Sequence, residues 1–270
     1  MFVRLIVVLI FSLGVVACEK SPPPVEWTAD KDLGLSWVKH AAEYQALSLQ
    51  AYHQAERDLP GFLADRRWTA LPGQTRAEYL PPAIIFDVDE TVVSGVDFQL
   101  AVERPVDQTK LNDWNSSHNA TAVQGFAAFA AAANAAGVEL FFITNRPCEA
   151  VDGSDSPCPY KETVVNDIRE AGFNVDADHV QLVNEQPGWT KEKLARREAL
   201  AETHRIIMLF GDDLSDFIPC TRPTPAAPCT NAGTADSRTR KVAQFSGYWG
   251  SGWYILPNPM HGSWSSVPRP

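Results

Sequence analysis

The sequence predicts an α/β protein built on a parallel sheet, and three observations lead there. Short continuous apolar runs rich in branched and aromatic residues, such as Ala83-Ile84-Ile85-Phe86, recur along the chain. Such a run suits a strand buried on both faces. Segments of helical character separate the runs, and strand–helix alternation implies parallel pairing through right-handed crossovers. Three runs end in polar clusters: Asp87-Val88-Asp89-Glu90-Thr91, Thr144-Asn145-Arg146 and Gly211-Asp212-Asp213-Leu214-Ser215-Asp216. Asp, Asn and Thr favour turns anywhere. Open parallel sheets, however, bind ligands beyond the carboxyl ends of their strands, and three clusters at that edge are hard to assign to turns alone. The expected architecture is a Rossmann-like parallel sheet with helices on both faces and a small cap insertion.

Taken in order, the chain opens with Arg4, an apolar run Leu5–Val16, and Ala17-Cys18. The run is shorter than the roughly 20 apolar residues of a spanning helix and has the layout of a secretory signal. Its end, Val15-Val16-Ala17-Cys18, resembles the lipobox of bacterial lipoproteins. The resemblance implies removal of residues 1–17, acylation of Cys18 and a lipid-anchored protein of the bacterial cell envelope, with the outer membrane expected. Residues 18–34, with Pro22-Pro23-Pro24, then form a tether. Residues 35–270 form the folded domain.

Within that domain, Trp37, Ala41, Tyr44, Leu47, Ala51, Ala55 and Leu59 recur at helical spacing, predicting one long helix from Leu35 to Leu59. Ala83–Phe86 is the first strand. Residues 94–120 lack a clean period and are assigned to the cap. An Ala-rich helix Thr121–Ala136 stops at Gly137, and strand Val138–Thr144 follows. Helix Lys161–Gly172, strand His179–Val183, helix Lys191–His204 and strand Arg205–Phe210 complete the alternation, with Trp253–Leu256 as an edge strand.

The 23 basic and 33 acidic residues give a net charge of −10, which argues against a nucleic-acid polymer as partner. A small phosphorylated ligand, held by a local site, remains compatible. Four cysteines lie beyond Cys18: Cys148, Cys158, Cys220 and Cys229. Export favours two disulfides over free thiols. Three connectivities are possible, and the local pairs Cys148–Cys158 and Cys220–Cys229 are preferred because each closes a loop rich in Pro, Gly or Ser. No CxxC or CxxH spacing suggests zinc.

Asp87 and Asp89 occupy different positions around one turn, so one can face a ligand while the other reaches its leaving group. Asp212 and Asp216 bring further negative charge to the same edge. Convergent carboxylates repel one another and raise their pKa values; a hard divalent cation, best Mg²⁺, relieves this.

Asp87-Val88-Asp89-Glu90-Thr91 resembles the DxDxT motif of haloacid dehalogenase superfamily phosphotransferases. Together with Ile143-Thr144-Asn145-Arg146 it resembles class C acid phosphatases. Ala42-Glu43-Tyr44-Gln45-Ala46-Leu47 and Ile255-Leu256-Pro257-Asn258 are similar to segments of the lipoprotein e subgroup, which are 5′-nucleotidases. The resemblance implies Asp87 as nucleophile and Asp89 as general acid and base. It places phosphate on Thr144, Asn145 and Lys193, and assigns Mg²⁺ to Asp87, the Asp89 backbone, Asp212 and Asp216. Lys193 is preferred over Lys191 because Lys193-Leu194-Ala195-Arg196 matches the family's lysine-x-x-arginine spacing.

The sequence departs from that pattern in four places. Asp213 replaces an asparagine, which leaves open whether its charge alters the choice of metal, Ser94-Gly95 replaces a pair ending in asparagine, Phe98 replaces a tyrosine, and His261 stands where the subgroup has an aromatic. Phe98, Trp114 and His261 are the candidate contacts to a nucleobase or nicotinamide, although plain packing serves Phe98 and Trp114 equally well. The expected activity is Mg²⁺-dependent hydrolysis of 5′-nucleotides or nicotinamide mononucleotide. A broad acid phosphatase and a non-catalytic binding lipoprotein are the alternatives; the sequence leaves the oligomeric state open.

Overall fold

The computed structural model describes residues 30–102, 108–117, 120–151 and 153–267. The signal segment, Cys18 and most of the tether therefore lie outside the described residues. No helix among the described residues is long and apolar enough to cross a membrane.

The elements in chain order are α1 (Asp30–His40), α2 (Ala42–Ala64), β1 (Pro82–Phe86), β2 (Val93–Ser94), α3 (Val96–Ala101), α4 (Gln108–Ser116), β3 (Thr121–Ala122) and α5 (Phe126–Ala135). Then come β4 (Glu139–Pro147), α6 (Lys161–Glu170), β5 (Val180–Val183), α7 (Leu194–Ala201), β6 (Arg205–Gly211), α8 (Ala235–Gln244) and β7 (Trp253–Ile255). Five strands form one sheet in the order β5-β4-β1-β6-β7, and every pairing in it is parallel. The expected edge strand is at the edge.

The continuous apolar runs are explained by burial on both faces. Ile84 and Phe86 of β1 point into a core shared with Tyr52 and Leu59 of α2, Phe126 and Phe129 of α5 and Val164 and Ile168 of α6. Ala83 and Ile85 point the other way, toward Leu200 of α7, Phe217 and Trp253. One cross-strand row carries much of the register. Phe86 lies opposite Phe142 on β4 and Phe210 on β6, and Phe210 lies opposite Tyr254 on β7. Their rings stack at centroid distances of 5.5, 4.7 and 5.0 Å. This row sits one residue below the first and third polar clusters, and the Asp87 N–H donates to the Phe210 carbonyl at 2.9 Å. Apolar packing thereby fixes where the carboxylates emerge.

Five features differ from the sequence expectation. The long first helix is two, because Ala41 adopts extended backbone (ψ 127°). The break turns α1 so that Leu35 and Val38 pack on Val96 of the cap and Met260, while α2 continues through Pro60 to Ala64. The Ala-rich helix begins only at Phe126, since Thr121–Ala122 pairs with Val93–Ser94 in a small antiparallel ribbon. The helix after β5 is shorter than expected and leaves Lys191 outside it and Lys193 as its N-cap residue. Helix α8 was not foreseen; its sequence is polar and none of its residues is buried, so it has no apolar period to read. Residues 94–117 supply α3 and α4 rather than irregular chain.

Both preferred disulfides form, Cys148–Cys158 and Cys220–Cys229, with Cα separations of 4.6 and 5.3 Å.

Removing the centre of the aromatic row tests its role. Phe86→Ala is expected to cost about 3–5 kcal/mol, as large-to-small changes in close-packed cores do, read as a lower denaturant midpoint.

Candidate active site

The three polar clusters meet at the carboxyl edge of the sheet, as parallel topology requires. Oxygens of Asp87, after β1, and of Asp212 and Asp216, after β6, all lie within 4.8 Å of one another. Asp216 reaches the group because Gly211 has no side chain; a Cβ there would collide with the Asp216 carboxylate. Lys193, buried at the start of α7, donates to both Asp87 and Asp216, the latter at 2.7 Å. Lys193 is thus the counterion within the cluster, as preferred over Lys191.

One lysine does not balance the group. Burial, helped by Asp216 and Asp89 and opposed by Lys193, pushes the Asp87 carboxyl up to about 7. Burial and the charges of Asp87 and Asp216 push Asp212 well above its ordinary range. An all-oxygen set with surplus negative charge fits a hard divalent cation and does not fit a thiolate- or imidazole-seeking metal.

The Asp89 side chain lies outside the cluster. Its carboxylate turns away from the cluster to Arg146, which donates from Nη2 at 2.7 Å and from Nε at 3.1 Å. The other end of Arg146 donates to buried Asp167 at 2.6 Å. Burial raises the Asp89 pKa, but Arg146 outweighs it and holds the group below its usual range.

Thr144 is buried beside this pair; its hydroxyl accepts the Arg146 backbone N–H at 3.1 Å and lies 3.4 Å from Asp89. Arg196 donates to the Thr144 carbonyl at 2.6 Å and to Asn145 Oδ1 at 3.1 Å. The lysine-x-x-arginine spacing therefore does two jobs from one helix turn. Its lysine enters the carboxylate cluster and its arginine holds the strand end that carries Thr144 and Asn145.

The Asp213 carboxylate does not join the cluster but accepts from the Ser215 N–H at 2.9 Å, the Ser263 N–H at 2.5 Å and the Ser263 hydroxyl at 2.7 Å. Burial raises its pKa, yet these hydrogen bonds prevail and keep it charged. The added acid ties the C-terminal loop down, and its charge still adds a little to the raised proton affinity of Asp212. Asn258, in the Ile-Leu-Pro-Asn segment, donates to Asp212 at 2.6 Å and accepts the Met260 N–H at 3.0 Å.

A cavity of about 450 Å³ opens above the carboxylates. Phe98, Leu111 and Trp114 line one wall, and Phe98 packs on Trp114 at 5.7 Å. Phe98 is buried, so packing and lining are both served. His261 lies at the rim, 3.3 Å from buried Glu90. Glu90 also accepts from the Gly95 N–H and the Ser94 hydroxyl, joining the cap base to the C-terminal loop. Arg146, Arg196, Asp167, Glu90 and Asn258 were given no site role from sequence. All but Asp167 stood in quoted motifs, but their partners lie on other strands or loops.

The family model described as "HAD superfamily, subfamily IIIB (Acid phosphatase)" matches residues 25–264. Two solved structures of the class C acid phosphatase from Bacillus anthracis are similar to this chain. The tungstate-bound form is 25% identical with a TM-score of 0.70, and the other is 26% identical with a TM-score of 0.68. Each comparison covers 88% of this chain and 87% of that protein. No curated protein matches the chain.

The raised carboxyls make stability depend on pH and on cations. Unfolded, Asp87 loses its proton in the ordinary carboxylate range; folded, it keeps it until about pH 7. Stability is therefore present in acid and lost as pH rises through that interval. In EDTA the melting temperature is expected to fall between about pH 5 and about pH 7.5, and Mg²⁺ to raise it more at the higher pH. A melting temperature insensitive to both contradicts the electrostatic account.

Proposed function

The chain belongs to the acid phosphatases of HAD superfamily subfamily IIIB, a phosphomonoesterase family, and from that membership we propose a Mg²⁺-dependent enzyme that works through an aspartyl-phosphate on Asp87. The observation that carries this reading is the convergence of Asp87, Asp212 and Asp216 around Lys193 beneath one cavity. Asp87, Asp212, Asp216 and the Asp89 carbonyl would hold Mg²⁺, which when bound supplies positive charge to the phosphoryl oxygens.

The residues act in sequence. An Asp87 oxygen attacks phosphorus as the bond to the ester oxygen breaks, and Asp89 gives its proton to the departing alkoxide. Water then attacks the phosphorus of the aspartyl-phosphate, Asp89 takes its proton, and phosphate leaves with Asp87 restored. Lys193 offsets repulsion between the incoming phosphate and the carboxylates, and Thr144 and Asn145 orient the phosphate. The Arg146 clamp keeps Asp89 ionised, which suits the water-activating half. Putting the proton on Asp89 against Arg146 takes acidic solution, and the same step needs Asp87 ionised, which a bound cation would favour by lowering its raised proton affinity.

The aromatic wall supports 5′-nucleotides or nicotinamide mononucleotide as substrates, with Trp114, Phe98 and His261 around the base. A cavity of this size holds a mononucleotide. The lipobox resemblance supports lipid anchoring through Cys18 in the cell envelope, and two disulfides accord with an oxidising compartment.

Phosphate release tests the reading. Asp87→Asn is expected to lower turnover of 5′-AMP, nicotinamide mononucleotide and p-nitrophenyl phosphate by at least about a thousandfold, and EDTA to abolish it reversibly. No turnover of any of them by folded wild type would reject it. Trp114→Ala is expected to lower kcat/KM for 5′-AMP about tenfold, within the range of base–aromatic stacking, and to spare glycerol 2-phosphate.

A further inference from the structure

We propose that Arg222 binds a second anionic group of the substrate, away from the phosphate that is cleaved, so that preferred substrates are phosphomonoesters carrying a further phosphate or carboxylate. The proposal rests on the phosphomonoesterase reading above.

Two arginines line the cavity, Arg146 and Arg222. Arg146 is committed to Asp89 and Asp167. Arg222 forms no ion pair with a carboxylate among the described residues. Its hydrogen bond to a side chain is one long donation, 3.3 Å, from Nη1 to the neutral hydroxyl of Ser215. Glu192 feels its charge only from beyond ion-pair distance, and burial pushes that carboxyl toward its neutral form. A guanidinium has five donors in a planar fork suited to bidentate binding of carboxylate or phosphate. The phosphate at Asp87 already has Lys193 as its cation. Arg222 lines the same cavity from the loop closed by Cys220–Cys229.

The mounting of Arg222 argues for recognition rather than an idle surface charge. Cys220–Cys229 closes its loop. Thr221, immediately before it, is fully buried, and its carbonyl accepts from Arg238 at 2.6 Å. The Gly233 N–H donates to the Arg222 carbonyl at 2.8 Å. Gly233 packs so closely that a side chain there would strike the Thr221 carbonyl. Lys241 donates to the carbonyls of Pro219 and Cys220 at 2.6 and 3.0 Å, and Thr190 donates to the Ala227 carbonyl at 2.7 Å. The backbone beneath the guanidinium is held from several sides, so binding an anion orders little that is not already ordered.

The test compares kcat/KM, with Mg²⁺ present, for matched pairs that differ by one anionic group. The pairs are adenosine 3′,5′- and 2′,5′-bisphosphate against 5′-AMP, and 3-phosphoglycerate against glycerol 3-phosphate. Wild type is expected to favour the more anionic member of at least one pair about tenfold or more, within the strength of charge-assisted hydrogen bonds. The nucleotide and glycerate pairs distinguish phosphate from carboxylate. Arg222→Met is expected to remove that preference, chiefly through KM, while leaving p-nitrophenyl phosphate within about twofold, and Arg222→Lys to restore part of it. Turnover of 5′-AMP with no preference in any pair overturns this proposal alone. Equal loss on every substrate in a folded Arg222→Met also overturns it, placing Arg222 on the cleaved phosphate. No turnover of any substrate overturns the phosphatase reading and the proposal with it.

Discussion

Three carboxylates that repel one another are held within a few ångströms at the edge of a buried sheet, and much of the structure serves to keep them there. Asp87, Asp212 and Asp216 share one buried lysine, and the imbalance shows as raised proton affinity at Asp87 and Asp212. Separated charges would be cheaper for stability alone. In the proposed function, a cation and a phosphoryl group would complete the site and account for their convergence. Strain of this kind at a strand edge, opposed by packing elsewhere, is a recurring property of catalytic centres.

The packing that opposes it is the aromatic row Phe142-Phe86-Phe210-Tyr254. Because Phe86 and Phe210 are register partners, the residues after them, Asp87 and the Gly211-Asp212 pair, must emerge side by side. A second layer then sets directions. Arg146 turns Asp89 out of the cluster, Asn258 holds Asp212, and Arg196 anchors Thr144 and Asn145. The geometry of this site therefore depends on residues outside the carboxylate cluster.

Much of this was legible in the sequence, for physical reasons. Strands buried on both faces must be continuously apolar, and their carboxyl ends must face one edge, so Asp87, Thr144 and Asp212 could be placed together before any coordinates. Lys193 was placed by the resemblance, whose lysine-x-x-arginine pattern it matches with Arg196. Other features depend on contacts that no local pattern encodes. Ala41 breaks a helix that its own periodicity would continue, because α1 turns to pack against Val96 and Met260. Helix α8 buries nothing and so lacks a period. Asp213 reads as a further metal-side charge until Ser263, fifty positions away, is seen to claim its carboxylate.

The central claim is that Asp87 carries the phosphoryl group between the two half-reactions. Acid-quenching the enzyme during steady turnover and mapping its peptides by mass tests this directly, because acyl phosphates survive acid long enough to be located. The account predicts one phosphoryl group on the peptide spanning Ala83–Glu90, absent in Asp87→Asn. A phosphoryl group on another residue, or turnover with none on the enzyme while water attacks the substrate in a single step, would contradict it.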